Sequence, residues 1–207
     1  MYFLKRWFYR RFNSEEWSRF NWDLDKNLPI YETTFVVFDT ETTGLDLKRD
    51  EPIAIGAFKI KNCRLDLGSR FYELMKPSKG LSTSIKVHGI TPKELEGVRP
   101  KSEVCLDFIN YAKGCILCGF FVHIDLVMLQ RVIKEEFGAA FCPPIVDIFD
   151  LLEEKDRSGN LESIIKRFGL PTSLHHNALE DAYMSGMLFL KLIKEGGFRK
   201  VKDLPLR

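Results

Sequence analysis

The sequence predicts an α/β domain, a mixed sheet covered by helices. Two observations carry this. Three strand-like runs follow one another between residues 35 and 75, which is a meander, and from residue 102 onward helical and strand-like runs alternate. A third observation bounds the size: 207 residues, 45% of them hydrophobic, suit one globular domain with an appendage.

Phe35 to Phe38 is β-branched and aromatic, the pattern of a buried strand. It runs into a turn-like stretch, Asp39 to Gly44. Strands are expected over 53–60 and 65–75, with Asn62, Cys63 and Arg64 at the hairpin tip. Pro77 to Gly80 breaks the pattern. A helix is expected over 102–111 from the spacing of Val104, Phe108 and Ile109, with Ser102 as its cap. Cys115 to Cys118 reads as a buried strand and Gly119 to Val122 as the turn after it. The spacing then predicts a helix over 126–137 and a short strand at Ile145 and Val146, followed by Asp147. Two more helices are expected, over 161–168, closed by Gly169 and Pro171, and over 178–195, closed by Gly196 and Gly197. The chain thus divides into an N-terminal extension and linker, 1–34, a main domain, 35–196, and a basic tail, 197–207, expected to be a solvated end. No repeat or low-complexity segment is visible.

Composition excludes several function classes. Lys and Arg number 31 against 29 Asp and Glu, so whole-chain charge selects no partner. No run of about 18 apolar residues exists, so no membrane span is expected. Five cysteines, an odd number, do not form a secreted disulfide framework, and a reducing, cytoplasmic setting follows. Cys115 and Cys118 have the spacing of a redox or zinc pair, but no second pair matches them, and core packing is preferred. The first 22 residues hold all three tryptophans (Trp7, Trp17, Trp22) and five basic residues. Charges interrupt any signal-peptide core. This segment is either a basic-aromatic arm for nucleic acid or a membrane surface, or an amphipathic piece whose rings pack on the domain. The packed reading is preferred, because aromatic rings bury large areas.

Asp39 and Glu41 sit at the end of the first strand. In extended backbone, residues i and i+2 share a face. Carboxylates placed side by side repel unless a cation lies between them, and oxygen donors suit Mg²⁺ or Mn²⁺. Against this stands a plain pair of solvated acids. Gly44 permits a tight turn, and the hydroxyls of Thr42 and Thr43 can bond a phosphate or sugar. In the stretch His175-His176-Asn177-Ala178-Leu179-Glu180-Asp181, Asn177 and Glu180 fit a capping box, which gives Glu180 a structural task. Asp181 then falls in the first helical turn and His176 just before the cap, so both can reach one site.

These residues together resemble the DEDDh (DnaQ-like) 3′–5′ exonuclease superfamily, to which the proofreading domain of DNA polymerase III epsilon belongs. The resemblance rests on FVVFDTETTGLD at 35–46, IKVHGIT at 85–91, Asp125 in GFFVHIDLVML, Asp147 in PIVDIFDLL, and HNALEDA at 176–182. It spans roughly residues 34–195. It implies an RNase H-like fold, a five-stranded mixed sheet flanked by helices. It implies Asp39, Glu41, Asp125 and Asp181 as ligands of two divalent cations, Mg²⁺ or Mn²⁺, and His176 as general base. It implies Thr42, Leu45, Val87 and His88 at the 3′ end of a nucleic acid, with nucleoside 5′-monophosphate as product. Where the family usually has His-Asn before the third acid, this chain has Phe120 and Phe121. One is expected in the core; the other either stacks on a base or also fills core. His123 is expected on the surface. Single-stranded DNA is the preferred substrate. The alternatives are an exoribonuclease or oligoribonuclease-like enzyme, and a nucleic-acid-binding module without catalysis. The short stretch after the last helix favours a stand-alone or differently partnered enzyme over a stable polymerase subunit.

Overall fold

The computed structural model describes residues 19–78, 89–173 and 177–207. Five strands form one sheet: β1 (Phe35–Thr42), β2 (Pro52–Lys61), β3 (Arg64–Leu74), β4 (Ile116–Gly119) and β5 (Ile145–Asp147), in the order β3-β2-β1-β4-β5. β1, β2 and β3 are antiparallel neighbours, whereas β4 and β5 run parallel to β1. The sheet is therefore mixed, as the meander followed by alternation requires. Among the described residues, four α-helices flank it: α1 (Lys101–Ala112), α2 (His123–Phe137), α3 (Leu161–Arg167) and α4 (Ala178–Glu195).

β1 is central and buried on both faces, which explains its unbroken apolar run. Its odd and even residues enter different cores. Val36 and Phe38, with Ile55, Ala57 and Leu117, pack against Val104 and Phe108 of α1 and Leu126, Leu129 and Val132 of α2. Phe35 and Val37, with Phe58, Ile60, Ile116 and Val146, pack against Leu188, Phe189 and Leu192 of α4 and Ile164 and Ile165 of α3. The rings of Phe35 and Phe189 lie 4.9 Å apart.

Two glycines set how closely α4 meets the sheet. A Cβ on Gly56 would lie 2.3 Å from the backbone at Ala178 and Leu179, and one on Gly186 would lie 2.8 Å from the Leu65 side chain. The first turn of α4 thus rests directly on β2, opposite Asp39, to which Gly56 is paired in register.

Several expectations are refined. β1 runs on to Thr42, so Asp39 and Glu41 lie within the strand rather than in a turn. The hairpin tip is a two-residue turn, Asn62 and Cys63, both with positive φ. Ser102 does not cap α1. Pro100 occupies that position, and the Lys101 ammonium is drawn to the buried Glu51 carboxylate and to Ser78 Oγ at 2.6 Å. The box expected at α4 is half formed. Asn177 Oδ1 accepts from the amides of Leu179 and Glu180, but Glu180 lines a cavity of about 340 Å³ with Thr172, Ser173 and Tyr183 instead of turning back.

Residues 23–34 are not a free linker, and the C-terminal tail is anchored, although its basic residues Arg199, Lys200, Lys202 and Arg207 are exposed as expected. Ile30 and Thr33 are buried, and Ile30 donates to the carbonyl of Arg199. Val201 and Leu204 are buried beside α4, and Arg207 exchanges backbone hydrogen bonds with Ile145. Apolar residues at these spacings anchor the basic stretch that carries them. Phe20 and Trp22 enter the core on the α1–α2 side, and the Trp22 indole donates to the Cys115 carbonyl at 2.7 Å. Trp7 and Trp17 lie outside the described residues. All five cysteines are free, and Cys115 and Cys118 are buried.

Gly56→Ala should lower stability by about 1–3 kcal/mol, because the added methyl overpacks the α4 contact. Urea denaturation measures it; an unchanged midpoint would mean that the helix yields freely.

Candidate active site

Strand parity places the acids. Asp39 and Glu41 continue the face of Phe35 and Val37, toward α4. Asn177 caps α4, which sets Asp181 in its first turn, above the close approach at Gly56. Carboxylate oxygens of Asp39, Glu41 and Asp181 all lie within 4.8 Å of one another.

Asp125 arrives from the opposite face. β4 pairs with β1 only as far as Val37, so β1 extends past its neighbour. α2 begins there, and the buried Asp125 in its first turn accepts hydrogen bonds from the Thr40 amide, at 3.0 Å, and from the Thr40 hydroxyl. The structure therefore gathers three of the four predicted acids into one cluster and sets the fourth at the same strand end, fixed to Thr40. His176, Val87 and His88 lie outside the described residues.

The electrostatics follow from this crowding. Burial, then the charge of Asp181, then that of Asp125, push Glu41 up to about 7. Asp39 is raised well above the usual carboxylate range by burial, with further push from Asp125, Asp181 and Glu41. Asp125 also rises to about 7, chiefly through burial, although its Thr40 hydrogen bonds pull it down. Within this cluster only oxygen donors converge, and they repel one another. That suits a hard divalent cation.

The loop after β1 is pinned from several sides. Thr43 donates through its amide to Glu51 O at 2.9 Å and through its hydroxyl to Asp50 Oδ1 at 2.9 Å. Asp50 Oδ2 accepts the Asp46 amide, and Arg131 of α2 donates to the carbonyls of Leu47 and Asp50. The Thr42 hydroxyl is turned inward onto Gly44 O at 2.7 Å. Leu45, by contrast, projects with 84% of its surface exposed. Arg131 was not predicted; it lies six residues beyond Asp125, and only the folded loop reveals its target.

His123 is exposed, as expected, yet it is tied down. Its Nδ1 lies 3.1 Å from Oδ2 of Asp147, a residue only 2% exposed. Asp147 Oδ1 accepts the amides of Phe121 and Phe149 at 3.0 and 3.1 Å. Phe120 is buried, whereas Phe121 is half-buried with φ of 53°, a left-handed conformation that a bulky residue seldom adopts. Asp147 has no role among the expected site residues. A second acid ending a parallel strand was the available signal.

Residues 36–189 match the RNase T family, described as exonuclease. A DNA polymerase III PolC-type chain of Thermotoga petrophila is 34% identical over 177 residues, 83% of this chain and 13% of its own. DNA polymerase III subunit epsilon of Aquifex aeolicus is 28% identical over 174 residues, 82% of this chain and 85% of its own. The chain therefore spans about an eighth of the PolC-type relatives. Among solved structures, a zinc-bound Escherichia coli exonuclease I–ssDNA complex shares the fold, with a TM-score of 0.67, 19% identity, and coverage of 80% of this chain and 41% of that one. Among the described residues no helix is long and apolar enough to cross a membrane. With its fold and acidic cluster in place and the match covering most of its length, the chain belongs to the exonuclease family.

Proposed function

We propose that the chain hydrolyses phosphodiester bonds at the 3′ end of single-stranded DNA and releases nucleoside 5′-monophosphates. Residues 35–196 would carry the chemistry, with 1–34 and 197–207 as flanking segments. The observation that carries the reading is the convergence of Asp39, Glu41 and Asp181 at the end of β1, with Asp125 beside them. These four side chains would hold two divalent cations, Mg²⁺ or Mn²⁺. When bound, such ions polarise a phosphate oxygen and acidify a water.

The remaining roles belong to side chains around the cluster. Thr40 orients the Asp125 carboxylate. The pinned loop presents Leu45 as an apolar wedge against the terminal base, with Thr42, Val87 and His88 around the 3′ end. His176, one residue before the Asn177 cap, takes the proton of the attacking water. The names of the polymerase III relatives and of the exonuclease I–ssDNA complex favour DNA over RNA. Five free thiols suit a reducing cytoplasm.

Asp39→Asn or Asp181→Asn should abolish mononucleotide release from a 5′-labelled single-stranded DNA while the circular dichroism spectrum stays native. EDTA should do the same reversibly, and RNA run in parallel tests the sugar preference. Full cleavage in excess EDTA would refute the metal requirement. His176→Ala should slow single-turnover hydrolysis by about 10²-fold or more, and an equal loss in His175→Ala alone would move the base to that residue.

The crowded carboxyls also make stability depend on pH. Carboxyls with a raised folded pKa stabilise the fold when protonated, and that stability is lost as pH climbs through the folded value. For Glu41 and Asp125 it is complete below about 4 and lost as pH passes about 7. In EDTA the melting temperature should therefore fall between pH 6 and 8. Glu41→Gln should flatten this fall, and Mn²⁺ should raise the melting temperature more at pH 8 than at pH 6. Parallel melting curves for wild type and Glu41→Gln would contradict the assignment.

A further inference from the structure

We infer that Phe121, Phe149, His123 and Arg157 form a stacking platform for an unpaired base on the 5′ side of the scissile bond. This rests on the exonuclease reading and adds a subsite to it.

The platform lies on the same sheet edge as the acids. β1, β4 and β5 are parallel, so their C-terminal ends open on one side. Asp39 and Glu41 end β1; the Phe120–Val122 turn follows β4; Asp147 ends β5, and Phe149 comes two residues later. Two strand spacings, about 10 Å, separate the ends of β1 and β5. That offset suits a nucleotide upstream of one whose phosphate meets the acids. Asp125 follows Phe121 by four residues, in the first turn of α2, and the Phe121 amide donates to the Asp147 carboxylate, so site and platform adjoin.

The rings are held in place beforehand. The Phe121 and Phe149 centroids lie 4.5 Å apart at 33°, and both rings pack edge-on against the buried Phe120. The His123 ring stands at 88° to Phe121, with 49% of its side chain exposed. Asp147 ties all three by the Phe121 and Phe149 amides and His123 Nδ1. The exposed Arg157 sets its guanidinium over Phe149 at 5.9 Å, anchored to the carbonyls of Leu152 and Asp150. Half-buried phenylalanines flanked by an imidazole and a guanidinium offer π faces and cationic character together. This combination recognises single-stranded nucleic acid without reading sequence. A paired base cannot turn onto such a surface, so the platform selects frayed or single-stranded ends.

The test measures binding apart from catalysis. Fluorescence anisotropy in EDTA follows a labelled thymidine dinucleotide, a hexanucleotide and a blunt duplex. Wild type should gain affinity from dinucleotide to hexanucleotide and bind the duplex more weakly. Phe121→Ala should lose about tenfold or more of hexanucleotide affinity, and Phe121→Tyr should restore it. If Phe121→Ala does not fold, Phe121→Leu keeps an apolar side chain without the π face and should show the same loss. Equal affinity of wild type and the folded variant, or wild-type affinity that does not depend on oligonucleotide length, overturns the platform even if hydrolysis proceeds. A length-dependent loss with no hydrolysis by wild type would keep the platform and reject the exonuclease reading.

Discussion

Like charges held together at the end of β1 are the constraint on which the rest of the molecule turns. Asp39, Glu41 and Asp181 repel one another, and burial makes the ionised forms of Asp39 and Glu41 costlier still. Nothing local to these residues favours the arrangement. It persists because apolar contacts elsewhere fix the elements that carry them: Phe35 and Val37 against α4 on one face, Val36 and Phe38 against α1 and α2 on the other. The cluster is a place where packing energy is converted into electrostatic potential, and a divalent ion is the natural release for that potential.

The geometry depends on the period of two in a strand. Because alternate residues of β1 face opposite cores, the same short segment addresses two helices at once. Asp39 and Glu41 look toward α4, while Thr40 looks toward α2 and secures Asp125. Gly56 completes the arrangement by letting the first turn of α4 rest on the sheet. A shift of β1 by one residue would exchange the two sets and break the site.

Much of this was legible in the sequence, because it rests on periodic signals. The run from Phe35 to Phe38, the apolar spacing of the last helix and the Asn177 cap are local patterns that the tertiary structure reinforces. What escaped was non-local or conformationally unusual. Arg131 gives no hint of the loop it holds, since its acceptors are backbone carbonyls some eighty residues away. Phe121 at positive φ has no sequence signature, and the partner of its amide, the Asp147 carboxylate, comes from another strand. Glu180 fits a capping box by position, yet only the Asn177 half of the box forms. The packed residues around Ile30 and Val201 were hidden by their polar neighbours.

The backbone pairing of Leu206 and Arg207 with β5 bears on how the sheet avoids its own kind. Its two borders are protected by different means. β3 is long and outermost, and its side chains include Arg64, Asp66, Arg70 and Glu73, whose charges discourage another chain from docking there. β5 has three residues, its single acid, Asp147, is buried, and its outer side is sheathed by Leu206 and Arg207, with Val146 bridged to Leu206. Self-association at that border is thus suppressed by occupancy rather than by repulsion, and salt, which weakens the first kind of protection, leaves the second intact.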